Sequence, residues 1–108
     1  MMPSQAQLAE SLLETLRRMK PEQQSLSGCT LLRDLQLDSL DSLELFYLME
    51  RYIPEVRDNA FNVTIPRDCK VLETGVEATN LQDVFNKGTV NDLVKVIATF
   101  TMQQHHAS

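Results

Sequence analysis

Tryptophan is absent from this chain, and aromatic residues make up 6% of it. A β-sandwich core normally draws on more of them, so the composition fits a small helical bundle better. Two cysteines, Cys29 and Cys69, lie far apart with no CxxC spacing, which predicts a reduced pair rather than a disulfide framework. Basic charge is in deficit: 10 Lys and Arg stand against 15 Asp and Glu, for a net charge of -5. An acidic chain repels phosphate backbones, so nucleic acid is not an expected partner, whereas proteins with basic patches are. Long apolar runs are missing too. The longest cluster, Leu45-Phe46-Tyr47-Leu48-Met49, is far too short to span a bilayer. Met1 to Gln5 show neither a basic n-region nor an apolar run, so no secretory leader is expected and a cytoplasmic address follows. No internal repeat or low-complexity linker divides the 108 residues, enough for one small domain over 1–108.

Helical signals dominate what remains. Ser4 and Gln7 form a capping box, and Leu8, Leu12, Leu13, Leu16 and Met19 then recur near one helical face. Glu10 and Glu14 come early and Arg17, Arg18 and Lys20 late, as the helix dipole favours, and Pro21 marks the stop. Pro21 to Leu37 reads as a long loop. Its leucines at 26, 31, 32, 35 and 37 predict packing across a helix pair rather than full solvation.

A second helix starts near Asp38 or Ser39, either of which can cap it. Leu40, Leu43 and Phe46, with Leu45 and Met49, supply its expected apolar stripe. Asp38, Asp41, Glu44 and Glu50 give it an acidic face, with Leu40 and Tyr47 among them. Residues 54–79 have mixed periodicity, with few sustained apolar contacts, and are expected to be the least stable part. Within them, Phe61, Val63 and Ile65 alternate with polar residues, which suggests an extended segment before Pro66. Asn80 is placed to cap a short helix carrying Leu81, Val84 and Phe85, with Gly88 at its end. Thr89 and Asp92 form the capping signature of a last helix with a stripe of Val90, Leu93, Val94, Ile97 and Phe100. The expected ordered core is about 4–102, with 103–108 a flexible tail.

Ser39 admits three readings. As a helix cap it needs nothing further. As a hydrolase nucleophile it lacks flanking glycines, and both histidines lie in the C-terminal tail. As an attachment site it has what is required: a helix N-terminus offers free amides and a positive dipole end to a phosphodiester and projects the hydroxyl outward. No metal site is expected, because Cys29, Cys69, His105 and His106 match no zinc spacing.

Asp38-Ser39-Leu40-Asp41-Ser42-Leu43-Glu44-Leu45 resembles the D-S-L-D-x-[VIL]-E-[LF] motif of acyl carrier proteins. Asp34-Leu35-Gln36-Leu37 is similar to that family's approach to the motif, and Gly88 to Val94 to the start of its last helix. Phe61 to Pro66 shows a fainter similarity to the segment after its second helix. The resemblance spans the first helix, the motif and the last helix, and leaves the middle uncovered.

It implies an all-α fold, a four-helix acyl-carrier-like bundle with a long first loop and an enlarged loop and third-helix region. It implies a covalent phosphopantetheine arm on Ser39 that carries acyl groups as thioesters, and no catalysis by the chain itself. The expected partners are a phosphopantetheinyl transferase and the enzymes that load, condense and transfer acyl groups. They would recognise Asp38, Leu40, Asp41, Glu44 and Tyr47 on a monomer that does not enter membranes. Ser39 is favoured over Ser42 because Glu44 stands at the motif distance from Ser39, whereas Tyr47 does from Ser42. Ser42, a turn further in, is expected to spend its hydroxyl on a backbone carbonyl.

Two departures, Gln36 in place of the usual glycine and the long spacing to the last helix, favour a specialised fatty-acid, polyketide or related lipid or secondary-metabolite pathway. Gln36 also predicts a turn built differently from the family's. The rival is a carrier-like helical adaptor that binds partner proteins without an arm.

Overall fold

The computed structural model describes residues 4–23 and 25–107, with side chains described up to 102. The chain is all-α. Among the described residues the α-helices are α1 (Gln5–Met19), α2 (Ser39–Met49), α3 (Val56–Asn59), α4 (Leu81–Lys87) and α5 (Val90–Ala107). Short 3₁₀ turns occur at Leu32–Leu35, Ala60–Asn62 and Arg67–Cys69. Among the described residues no strand forms, only isolated bridges. No described helix is long and apolar enough to cross a membrane.

Both long helices start where their caps dictate. The Ser4 hydroxyl accepts the Gln7 N–H at 3.1 Å, and the Gln7 side chain accepts the Ser4 N–H at 2.9 Å. Thr89 and Asp92 satisfy each other's backbone amides in the same reciprocal way, at 3.2 and 2.9 Å. α1 then lies along α5, burying Leu8, Leu12 and Leu16 against Leu93, Val94 and Ile97. α5 runs on to Ala107, through the stretch where the sequence suggests a tail; side chains from 103 on, His105 and His106 included, lie outside the described residues.

The leucine-rich loop packs across the α4–α5 corner, as its composition requires. Leu26, Leu32 and Leu35 are buried. The Gly28 and Thr30 carbonyls accept the first amides of α5, from Asn91 at 2.9 Å and Val90 at 3.0 Å, while the Leu32 N–H reaches the Gly88 carbonyl at 3.0 Å. These bonds supply acceptors that a helix N-terminus otherwise lacks.

Gly88 closes α4 in extended geometry (φ -100°, ψ 173°) rather than the left-handed form a terminal glycine usually takes. Its requirement is space: a Cβ there would lie 2.7 Å from the Val84 carbonyl oxygen. At Gln36 the backbone adopts φ 52°, ψ 52°. Gln36 holds the left-handed conformation that glycine takes without steric cost.

Residues 54–79 are better anchored than their sequence suggests. Val56, Val63, Ile65, Cys69 and Leu72 are all buried. The extended reading holds for Val63–Ile65, which pairs antiparallel with residues 79–81: the Ile65 N–H donates to Thr79 O at 3.1 Å and the Leu81 N–H to Val63 O at 3.0 Å. Phe61 instead belongs to a 3₁₀ turn. It packs edge-on against Phe46 and Phe85, with centroids 4.7 and 5.4 Å away, and the three rings join α2, the middle segment and α4.

Candidate functional site

The site is the N-terminal turn of α2. Asp38 is the cap, in extended conformation, and its carboxylate accepts the Asp41 N–H at 2.8 Å. Asp41 returns the bond to the Asp38 N–H at 3.3 Å. Helix geometry begins at Ser39, whose side chain is exposed. The Ser42 N–H is taken by the Asp38 carbonyl at 2.9 Å. The amides of Ser39 and Leu40 have no acceptor among the described residues, so two N–H groups and the positive end of an 11-residue helix stand beside the serine hydroxyl.

Asp41 differs from the expected exposed recognition residue. It is half-buried, and Lys20, the C-cap of α1, places its Nζ 3.2 Å from Asp41 Oδ2. Its carboxyl sits below the ordinary value, first because it accepts the Asp38 backbone N–H and then because of Lys20. Asp38 and Glu44 are exposed as expected.

The expected stripe on α2 is also wrong in part. Leu45 and Met49 are buried and Phe46 is half-buried, but Leu40 and Leu43 remain 76% and 65% exposed. Tyr47 is 77% exposed beside them. Residues three or four apart share a helical face, so Ser39, Leu43 and Tyr47 align, with Leu40 and Glu44 flanking them. α2 is apolar on two sides, and apolar periodicity alone could not tell which side meets the core. Leu43 is therefore the site residue that sequence reasoning missed. The signal was present, since it stands one turn from both Ser39 and Tyr47.

Ser42 points elsewhere. Among the described residues no hydrogen bond joins its hydroxyl to a backbone carbonyl, contrary to expectation. It lines a cleft of about 330 Å³ between the Leu32–Leu37 segment, α2, Phe61 and α4. A second, smaller cavity of about 100 Å³ lies between α1, α2 and α5, lined by Leu8, Leu12, Leu45, Met49 and Ile97 among others.

Among the described residues no three His, Cys, Asp or Glu side chains converge on a metal position. Cys29 is exposed and Cys69 buried, and neither is in a disulfide. No family model matches the chain, and neither a curated protein nor a solved structure does.

Proposed function

We propose that this chain is an acyl carrier protein, a non-catalytic shuttle of the four-helix carrier type that bears a phosphopantetheine arm on Ser39. The observation that carries the proposal is the exposed Ser39 hydroxyl on the first turn of α2, at the head of a bare apolar face formed by Leu40, Leu43 and Tyr47. A cap alone accounts for neither feature: Asp38 already does the capping, and a purely structural helix has no reason to leave two leucines in solvent.

The residues present fit the group. The unpaired amides of Ser39 and Leu40 can donate to a phosphodiester, and the helix dipole favours its charge. Lys20 offsets the Asp41 carboxylate, which would otherwise repel a phosphate one turn away. In the attachment step the Ser39 hydroxyl oxygen attacks the pantetheine-side phosphorus of coenzyme A. A new P–O bond forms and the anhydride P–O bond breaks. The adenosine bisphosphate leaves with the electron pair, and the serine proton passes to a base of the phosphopantetheinyl transferase. That enzyme also brings the catalytic Mg²⁺. Once attached, the arm supplies a thiol that holds acyl groups as thioesters, activating the carbonyl for transfer and the α-carbon for condensation.

Leu40, Leu43 and Tyr47 offer an apolar contact to partner enzymes, and Asp38 and Glu44 an acidic rim for their basic patches. Such pairing speeds encounter while keeping complexes short-lived, as a shuttle requires. The reading places the chain in a specialised fatty-acid, polyketide or related lipid or secondary-metabolite pathway.

Incubation with a broad-specificity phosphopantetheinyl transferase, coenzyme A and Mg²⁺ should add one phosphopantetheine mass. Ser39→Ala should abolish the increment and Ser42→Ala should keep it. Modification persisting in folded Ser39→Ala refutes the assignment to Ser39. A wild-type chain that never gains the mass favours the armless adaptor, for which the same apolar face would serve.

A further inference from the structure

The smaller cavity, of about 100 Å³, is walled by two matching stripes. Positions 8, 11, 12 and 15 of α1 share it with positions 45, 48, 49 and 52 of α2 and the turn after it, the same helical register on both sides. Leu12, Leu45, Met49 and Ile97 are buried and make an apolar floor. Ser11, Leu48 and Arg51 are exposed and make the mouth.

Two polar groups of this cavity have no use within the fold. Thr15 is 8% exposed. Thr99 and Thr101 of α5 return their hydroxyls to the carbonyl four residues back, each at 2.8 Å, but among the described residues Thr15 makes no such bond. No described side-chain oxygen is both sealed off and unpaired, so the Thr15 hydroxyl is reachable, and the cavity that it lines is the way in. Arg51 is the other group. Lys20, Arg33 and Arg57 each have a carboxylate partner, and among the described residues Arg51 has none.

These groups select the head of an occupant. The hydroxyls of Ser11, Thr15 and Tyr52 can all donate, Arg51 is charged and donates only, and no acid lines the cavity. Such a set suits a carboxylate. The floor suits a hydrocarbon tail. An apolar cavity of about 150 Å³ holds benzene, so about 100 Å³ takes a tail of about three or four carbons. Glu10 and Glu14 border an adjoining depression that shares Ser11 and Tyr52, and they disfavour a second negative charge on the ligand.

We propose that this cavity binds a free short-chain aliphatic monocarboxylate, its tail on the floor and its carboxylate held by Arg51 and Thr15. The occupant is untethered, because a thioester brings no charge to Arg51. Leu48 lies about 14 Å along the helix axis from Ser39, and the site stands whether or not Ser39 bears an arm.

The experiment titrates the apo protein with sodium butyrate at constant ionic strength and follows backbone amide and methyl chemical shifts, with 1-butanol and succinate as comparisons. Saturable shifts are expected at Leu12, Leu45, Met49 and Ile97. Affinity should rise about fourfold per methylene from acetate through propionate to butyrate. Succinate should bind more weakly than butyrate. Arg51→Gln should weaken butyrate about tenfold and leave 1-butanol unchanged, since it removes a hydrogen-bonded charge. Thr15→Val keeps the shape, removes the hydroxyl and should weaken butyrate about fivefold. Arg51 is exposed in a turn, so its variant keeps the fold even if the buried Thr15→Val does not.

Absence of saturable shifts at the floor overturns the proposal. Butyrate affinity unchanged in Arg51→Gln also overturns it, leaving a plain hydrocarbon pocket. Butyrate shifts at Arg17, Arg18 and Lys70 instead of the floor would mean loose ion pairing and overturn it as well. Ser39→Ala should bind butyrate as the wild type does, so none of these results bears on the attachment reading, which the mass measurement decides alone.

Discussion

Lys20 and Asp41 join the end of α1 to the first turn of α2, Nζ to Oδ2 at 3.2 Å, and both side chains are largely shielded from solvent. The same carboxylate accepts the Asp38 N–H, so one side chain fixes the turn from both sides. On the carrier reading proposed above, Asp41 would serve the presentation of Ser39, and docking would fall to the exposed Glu44 and Asp38 and to the leucines beside them.

This arrangement predicts an acid-sensitive first turn of α2. Asp41 has an ordinary value of 3.8, and the folded protein holds it lower, chiefly through the Asp38 amide and then through Lys20. A carboxyl lowered by folding contributes stability fully above 3.8, and that contribution is lost as pH falls through the folded-state value. Asp41→Asn should therefore unfold at a lower temperature than wild type at neutral pH. Between neutrality and strong acid the two midpoints should converge. A gap that stays constant down to low pH would show that the ionised carboxylate contributes nothing.

The exposed face of α2 predicts a separation of folding from recognition. Leu43→Ser should change stability by no more than about 0.5 kcal/mol, the usual range for exposed sites. Loading by a transferase that covers this face should slow by about tenfold, since burying a leucine at an interface is worth roughly 1.5–3 kcal/mol. Glu44→Lys should also slow loading, but with a deficit that shrinks as salt screens the charge. A Leu43→Ser variant that loads at the wild-type rate would remove this face from recognition.

Most of this was legible where local signals are strong. The caps at Ser4, Asn80 and Thr89 each select a backbone amide within one turn, so four residues suffice to read them. The expected stripe of α5 is buried at Val90, Leu93, Val94 and Ile97 and half-buried at Phe100, while Val96, outside that stripe, is buried as well because the helix is covered on more than one side. The orientation of α2 is fixed by contacts from the aromatic trio and the middle segment, which no local pattern encodes. Asp41 looked like another surface acid because Lys20, its partner, belongs to a different helix. The middle segment looked loose for the same reason: Val63 and Ile65 find their partners beyond a turn-rich excursion, at residues 79–81.

Gln36 carries a conformational cost that glycine would relieve. Its φ of 52° is left-handed, a region that costs a non-glycine residue about 1–2 kcal/mol. Glycine gives back roughly 0.5–1 kcal/mol in lost chain entropy. Gln36→Gly should therefore raise the unfolding free energy by about 0.5–1 kcal/mol in denaturant titrations. Unchanged or reduced stability in Gln36→Gly would mean that the left-handed turn is not strained.

The last prediction concerns residues 54–79, where sequence and packing point in opposite directions. Mixed periodicity suggests easy local opening, yet Val63, Ile65 and Leu72 are buried and the backbone is bonded across the segment. Besides the pairing of residues 63–65 with 79–81, the Ala78 N–H donates to Lys70 O at 2.7 Å and the Leu72 N–H to Val76 O at 2.9 Å. Opening any of these exposes apolar side chains that belong to the same contiguous core as α5. Local stability tracks such burial and bonding rather than regularity of secondary structure. The amides of Ile65, Ala78 and Leu81 should therefore exchange with deuterium within about tenfold of those inside α5, a difference of about 1.4 kcal/mol. Thr74, exposed at the tip of the turn and with no backbone acceptor for its N–H among the described residues, should exchange far faster. If Ile65 and Leu81 instead exchange as fast as the tip, the segment opens independently of the core, and the pairing of residues 63–65 with 79–81 is too weak to hold it.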